Sequence, residues 1–150
     1  MSDLRELYQT VILDHNKNPK NFGALEDGNR SAEGYNPLCG DQLRVMLRIE
    51  DDAVADVRFE GSGCAISTAS ASLMTQAVKG KPLADALKLF DGFHEMVTAD
   101  ATGDVETSHL GKLAVFAGVR EFPMRVKCAT LAWHTLKNAI DDTGAIAKTE

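Results

Sequence analysis

No apolar run in this 150-residue chain is long enough to cross a bilayer. The longest is Leu113–Val119, and that count includes a glycine; a membrane-spanning helix needs about 20 apolar residues. The first ten residues, MSDLRELYQT, are charged and lack the apolar centre of a secretion signal. These absences argue against a membrane role and lead to the expectation of a cytoplasmic protein. Repeats and low-complexity tracts are also missing, which argues against a solenoid or a disordered chain. With 44% hydrophobic and 25% charged residues and four prolines, the composition is that of an ordinary globular protein. The length suits a single domain over residues 1–150, with a core that needs no disulfide staples.

Positive charge is scarce as well. Sixteen Lys and Arg against 22 Asp and Glu give a net charge of −6. Such a balance disfavours a surface that tracks phosphates, so no nucleic-acid partner is expected. A partner with a basic face fits better. Cysteine is limited to three residues, an odd number that cannot form a complete disulfide framework. In a reducing compartment that points to metal, redox or catalytic thiols; three buried, inert cysteines are the plain alternative. The small-residue run Ala65–Ser72 lacks the Gly-Lys-Ser/Thr ending of a phosphate loop. No Ser-His-Asp arrangement is legible.

What is present reads as α+β, a small antiparallel β-sheet of about three strands with about five helices packed on it. Residues 3–17 carry Leu4, Leu7, Tyr8, Val11, Ile12 and His15 at helical spacing, and Asn18-Pro19 ends that helix. Residues 20–40 read as loop with one short strand around Ser31–Tyr35. Gln42–Glu50 and Val54–Glu60 alternate, with Leu43, Val45, Leu47 and Ile49 on one face and Val57 and Phe59 on the other strand's matching face. Asp51-Asp52-Ala53 between them marks a hairpin. Ala65–Val78 is helical and stops at Gly80; Pro82 opens a helix that runs to about Val97. Thr98–Ser108 reads as loop. Leu110–Glu121 and Arg125–Ile140 read as two helices separated by Phe122-Pro123, and the tail after Asp141 is expected to fray.

The hairpin brings chemistry together. With the turn centred near Asp52, paired residues have numbers adding to about 104. Asp41 then faces Gly63, with Cys64 diagonally beside it. Cys39 and Asp41 are two apart and point to one side of an extended chain. Glycines flank both thiols, in Asn36-Pro37-Leu38-Cys39-Gly40-Asp41 and Gly61-Ser62-Gly63-Cys64, and permit close approach of a ligand. Cys64 immediately precedes a helix, whose positive end favours thiolate. Cys128 falls in the first turn of the last helix, where the same effect operates, and Arg125 and Lys127 add positive charge. Three thiolates and one carboxylate match the four ligands of tetrahedral zinc, and thiolates also suit iron–sulfur clusters. Asp41 has a plain reading as a turn residue, and Arg125 as a solvated surface charge. His15, His94, His109 and His134 read as structural or surface residues.

Taken together, these segments resemble the SufU-type proteins, relatives of the IscU and NifU iron–sulfur cluster assembly scaffolds. The resemblance rests on Leu7–His15, on Asn-Pro-Leu-Cys-Gly-Asp at 36–41, on Gly-Ser-Gly-Cys-Ala-Ile-Ser at 61–67 and its continuation to Ser72, and on Arg-Val-Lys-Cys-Ala-Thr-Leu-Ala-Trp at 125–133. It implies a SufE/NifU (IscU)-like fold and a zinc-bound sulfurtransferase that works with a SufS-type cysteine desulfurase. Downstream scaffolds or apo-protein acceptors would receive the sulfur. It further implies Cys39, Asp41, Cys64 and Cys128 as zinc ligands, Cys39 as the sulfur acceptor, and Arg125 as a residue of desulfurase-dependent activity. Scaffolds of the IscU branch typically carry histidine immediately before the last cysteine; this sequence has Lys127. A cluster-holding scaffold is the alternative reading, and a small binding protein with a purely structural zinc is a third.

Overall fold

The computed structural model describes residues 2–37, 40–99, 108–141 and 147–148. Helix α1 (Ser2–Lys17) precedes three antiparallel strands, β1 (Arg30–Asn36), β2 (Asp41–Glu50) and β3 (Ala53–Ser62). Helices α2 (Ala65–Val78) and α3 (Leu83–Thr98) follow, then a tightly wound helical segment, Ser108–Glu121, and α4 (Pro123–Asp141). The α+β architecture read from the sequence is the one observed.

Alternation fixes which side of the sheet is covered. Leu43, Val45 and Leu47 of β2 are buried, while Gln42 and Arg44 on its other face are exposed; Met46, also on that face, is buried. Asp51 and Asp52 make the β2–β3 turn, both with left-handed backbone (φ 52° and 58°). Two such residues form the tight turn whose twist matches paired strands. From Gln42↔Ser62 to Arg48↔Asp56 the pairing follows the expected register; it then shifts between Arg48 and Ile49. This irregularity lets Val54 and Val57, three apart, both turn inward with no exposure. Helix α4 lies on β1 and β2 and against α2. Its approach to β1 is close: a β-carbon on Gly34 would stand 2.0 Å from Thr135 Oγ1. Phe93 of α3 stacks on Trp133 of α4 at 4.9 Å between centroids and meets Phe116 edge-on at 5.6 Å.

Three details differ from the sequence reading. Leu110–Glu121 is not a regular α-helix. The segment winds as a 3₁₀-helix and is broken at Gly111 (φ 56°, ψ −129°). Its buried residues Leu110, Leu113, Phe116 and Val119 recur every three positions. A period of three keeps one face only when there are three residues per turn. The tail after Asp141 does not simply fray, because Ala147–Lys148 forms a short strand, β4, parallel to Gly34–Tyr35. The sheet order is β3-β2-β1-β4, so β4 covers part of the outer edge of β1. Helix α4 starts at Pro123, two residues before the expected Arg125, because proline suits the first helical position.

Candidate metal centre

The site lies at the end of the sheet opposite the Asp51-Asp52 turn. Asn36, the last residue of β1, pairs with Asp41, the first of β2. Residues 37–40 join them, and the Gly40 N–H donates to the Asn36 carbonyl at 2.8 Å. Cys39 is in this connection and lies outside the described residues.

Asp41 has no exposed surface. Beyond the Gln42↔Ser62 pair the chain continues through Gly63 directly past the Asp41 carboxylate. A β-carbon at Gly63 would lie 2.6 Å from Asp41 Oδ1 and 3.0 Å from its Cγ. Glycine therefore makes the space that the carboxylate fills. The next residue, Cys64, donates its N–H to Asp41 Oδ1 at 2.9 Å, and its thiol stands 3.9 Å from Oδ2.

Cys64 is also the cap of α2. Its extended backbone (φ −71°, ψ 168°) turns its sulfur onto the open helix end, where it accepts from the Ser67 N–H at 3.4 Å. The Cys128 thiol reaches the same sulfur from α4. Cys128 is buried, with 1% exposure, in the second turn of α4. The earlier start of α4 removes the expected first-turn placement, so its chemistry comes from its neighbours more than from the helix end. One donor atom each from Asp41, Cys64 and Cys128 lies within 4.8 Å of the others. No other group of three such side chains occurs among the described residues.

The electrostatics favour an anionic sulfur. The Cys64 thiol is lowered to about 6, first by the hydrogen bond from Cys128 and then by the Ser67 and Ile66 N–H groups. Burial and the nearby Asp41 carboxylate oppose the shift. A thiolate is thus available near neutral pH without outside help.

Arg125 is exposed in the first turn of α4, and no ion pair involves it among the described residues. Lys127, one residue before Cys128, is partly exposed. None of the three histidines with described side chains enters the site. His15 Nδ1 meets Ser72 Oγ at 2.6 Å and ties α1 to α2. His94 and His134 pack with Phe90 in an aromatic cluster between α3 and α4.

The donor set fits a thiophilic divalent ion. Zinc–sulfur bonds of about 2.3 Å and zinc–oxygen bonds of about 2.1 Å place tetrahedral ligands about 3.6–3.8 Å apart. The 3.9 Å between Cys64 Sγ and Asp41 Oδ2 is already close to that edge. A fully buried carboxylate beside two thiols also has reason to hold a cation, since burying an uncompensated charge is costly. Three protein ligands leave a fourth position, and Cys39 is the nearest donor in sequence. The sequence reading found this grouping through the hairpin register. It did not identify the cap bond of the Cys64 sulfur; the signal was cysteine in the position before Ala65-Ile66-Ser67, where capping residues sit.

Comparison with known proteins places the chain in a family. Residues 7–129 match the family described as NifU-like N terminal domain. The chain is 44% identical over 140 residues to the iron–sulfur cluster assembly scaffold protein IscU of Streptococcus pyogenes serotype M1, covering 93% of this chain and 86% of that one. It is 43% identical over 139 residues to the zinc-dependent sulfurtransferase SufU of Bacillus subtilis, covering 93% and 92%. A crystal structure from Fervidobacterium islandicum, described as an iron–sulfur cluster assembly scaffold for the SUF system, superposes with a TM-score of 0.82 at 35% identity, over 90% of this chain and 97% of that one. The two relatives are equally near, so identity alone does not divide scaffold from sulfurtransferase. From the matched domain, the shared fold and the extent of both alignments, this chain belongs to the NifU-like N-terminal domain family, the IscU and SufU proteins of iron–sulfur cluster assembly.

Proposed function

We propose that this chain is a zinc-bound sulfurtransferase that accepts persulfide sulfur from a SufS-type cysteine desulfurase in the cytoplasm and passes it to a scaffold or apo-protein. The observation that carries the proposal is the meeting of Asp41, Cys64 and Cys128 within 4.8 Å, at the sheet end to which Cys39 is tethered. Two residues of extended chain span about 7 Å at most, so Cys39 stays within reach of Asp41. Asp41, Cys64 and Cys128 would hold zinc, with Cys39 as the fourth ligand and the acceptor. Bound zinc keeps coordinated thiols deprotonated at neutral pH. The Cys39 thiolate attacks the outer sulfur of the partner's persulfide. A new sulfur–sulfur bond forms at Cys39, the partner's sulfur–sulfur bond breaks, and the partner's cysteine leaves as a thiolate. Arg125, exposed one helical turn before Cys128, would contact the desulfurase. No helix among the described residues is long and apolar enough to cross a membrane.

The test is to purify the protein, measure zinc and iron, and add desulfurase, cysteine and reductant. Tight zinc, no chromophore and a large rise in sulfide release are expected. Cys39→Ser should carry no persulfide while still binding the desulfurase; undiminished persulfide on that variant would move the acceptor role to Cys64 or Cys128. A stable coloured cluster would favour the second reading, a scaffold that assembles and hands on a cluster. The 44% identity to the Streptococcus scaffold supports that reading, and Lys127 in the position before Cys128 weighs against it.

A further inference from the structure

Along α2, Cys64, Ser67 and Ser70 follow one another at three-residue spacing and form a row on one side of the helix. Both ends of the row touch α4. Cys64 meets the Cys128 thiol. Ser70 Oγ donates to the Ala129 carbonyl at 2.6 Å. Ser67 lies between them in this row. Its N–H already serves the site, donating to Cys64 Sγ.

Its hydroxyl does not. Six serine and threonine side chains are buried among the described residues: Ser67, Ser70, Ser72, Thr75, Thr130 and Thr135. Five have hydroxyl hydrogen bonds. Thr75, Thr130 and Thr135 turn back onto carbonyls of their own helices, Ser70 reaches Ala129, and Ser72 joins His15 and the Lys20 N–H. Ser67 Oγ alone has no partner, at 0% exposure. A hydroxyl buried in this way is unfavourable unless an acceptor arrives. The turn-back bond that satisfies its neighbours is not made here.

We propose that Ser67 is a positioning residue of the metal centre, whose hydroxyl donates a hydrogen bond to the Cys128 sulfur once that sulfur has lost its proton to a metal. The proposal rests on the reading of Asp41, Cys64 and Cys128 as ligands. In the metal-free chain the Cys128 thiol is engaged with Cys64. Metal loading releases the proton to solvent and leaves an anionic sulfur facing α2. A hydrogen bond to an ionised acceptor is among the stronger ones. It would also fix the sulfur and lower its electron donation, the part that second-shell donors play at metal sites.

The test is a cobalt(II) titration of the full chain, following the sulfur-to-cobalt charge-transfer band, with thermal melts of the metal-free protein alongside. Ser67→Ala should melt at the same temperature as the wild type or higher, because it deletes an unpartnered hydroxyl. The same variant should bind cobalt about tenfold more weakly and shift the band to lower energy. Ser67→Thr should restore both. Ser70→Ala should lower the melting temperature and leave the band in place. A band and affinity unchanged in Ser67→Ala would overturn the proposal. So would a metal-free Ser67→Ala that melts lower or fails to fold, since its hydroxyl would then already be bonded. Absence of any thiolate–cobalt band in the wild type would instead remove the ligand reading itself, and this proposal with it.

Discussion

Replacing Gly63 by alanine should damage the site through one identifiable atom pair. The added β-carbon would stand 2.6 Å from Asp41 Oδ1, 3.0 Å from Cγ and 3.3 Å from Cβ. All three nearest atoms belong to Asp41, so the carboxylate must swing away. In doing so it loses the 2.9 Å bond from the Cys64 N–H. Losing a hydrogen bond to a buried charged group costs about 1.5–3 kcal/mol, and forcing a side chain off its rotamer adds about 0.5–1.5 kcal/mol. A total of about 2–4.5 kcal/mol is expected in metal-free protein. In a chain of this size each kcal/mol moves the melting temperature by about 2–4 °C. Urea denaturation of the wild type, Gly63→Ala, Asp41→Ala and the double variant forms a cycle. Because the clash is with Asp41 alone, Gly63→Ala should be mild once residue 41 is alanine, with a coupling of about 1–3 kcal/mol. Simple additivity across the cycle would refute this account of Gly63. Metal affinity should fall in the same variant by about ten- to a hundredfold, which chelator competition would measure.

Asp52→Gly should stabilise the hairpin by about 1 kcal/mol, because residue 52 has φ 58° and glycine adopts that conformation without side-chain strain; an unchanged urea midpoint would contradict this. Gly34→Ala should destabilise strongly through Thr135 Oγ1, and Thr135→Ala should recover much of the loss, read by thermal melts. Acid should weaken the fold before any carboxylate titrates. Burial, assisted by Lys20 and Lys112 and opposed by Asp14, holds His15 below its ordinary value, and burial with His94 and Lys137 does the same to His134. Where the folded value lies below the unfolded one, the unfolded chain binds more protons, so stability rises with pH. That contribution is complete above about pH 6.5 and is lost as pH falls through the folded values. Unfolding free energy should therefore drop as pH falls below about 6.5, and His15→Gln should flatten the slope.

The site was legible where local rules decide the geometry. Asp51-Asp52 sets the turn, the turn sets the register, and the register brings Asp41 alongside Gly63 and Cys64. What sequence reading missed depends on less local facts. The inward placement of both Val54 and Val57 needs an irregular pairing between Arg48 and Ile49, which alternation alone does not reveal. The three-residue period of Leu110, Leu113, Phe116 and Val119 was visible, but an α-helical template absorbs it as a slightly imperfect stripe. β4 has two residues and no alternation to read; its place comes from the edge of β1 that it meets. Pro123 takes the first position of α4 and so moves Cys128 from the helix end into the second turn.

The three donors come from the first residue of β2, the cap of α2 and the second turn of α4, elements that are far apart along the chain. An unfolded chain holds these side chains apart, so it has no comparable site for an ion that requires all three. Such an ion acts as a clasp that closes only on the finished fold. It stabilises the native state by about 1.4 kcal/mol for each tenfold excess over its dissociation constant. Such a clasp would draw α4, α2 and the sheet together at a single point, so under the proposed sulfur transfer whatever loosens it would also loosen the junction of three structural elements. Chemistry at the sulfurs and rigidity at this end of the molecule would then rise and fall together.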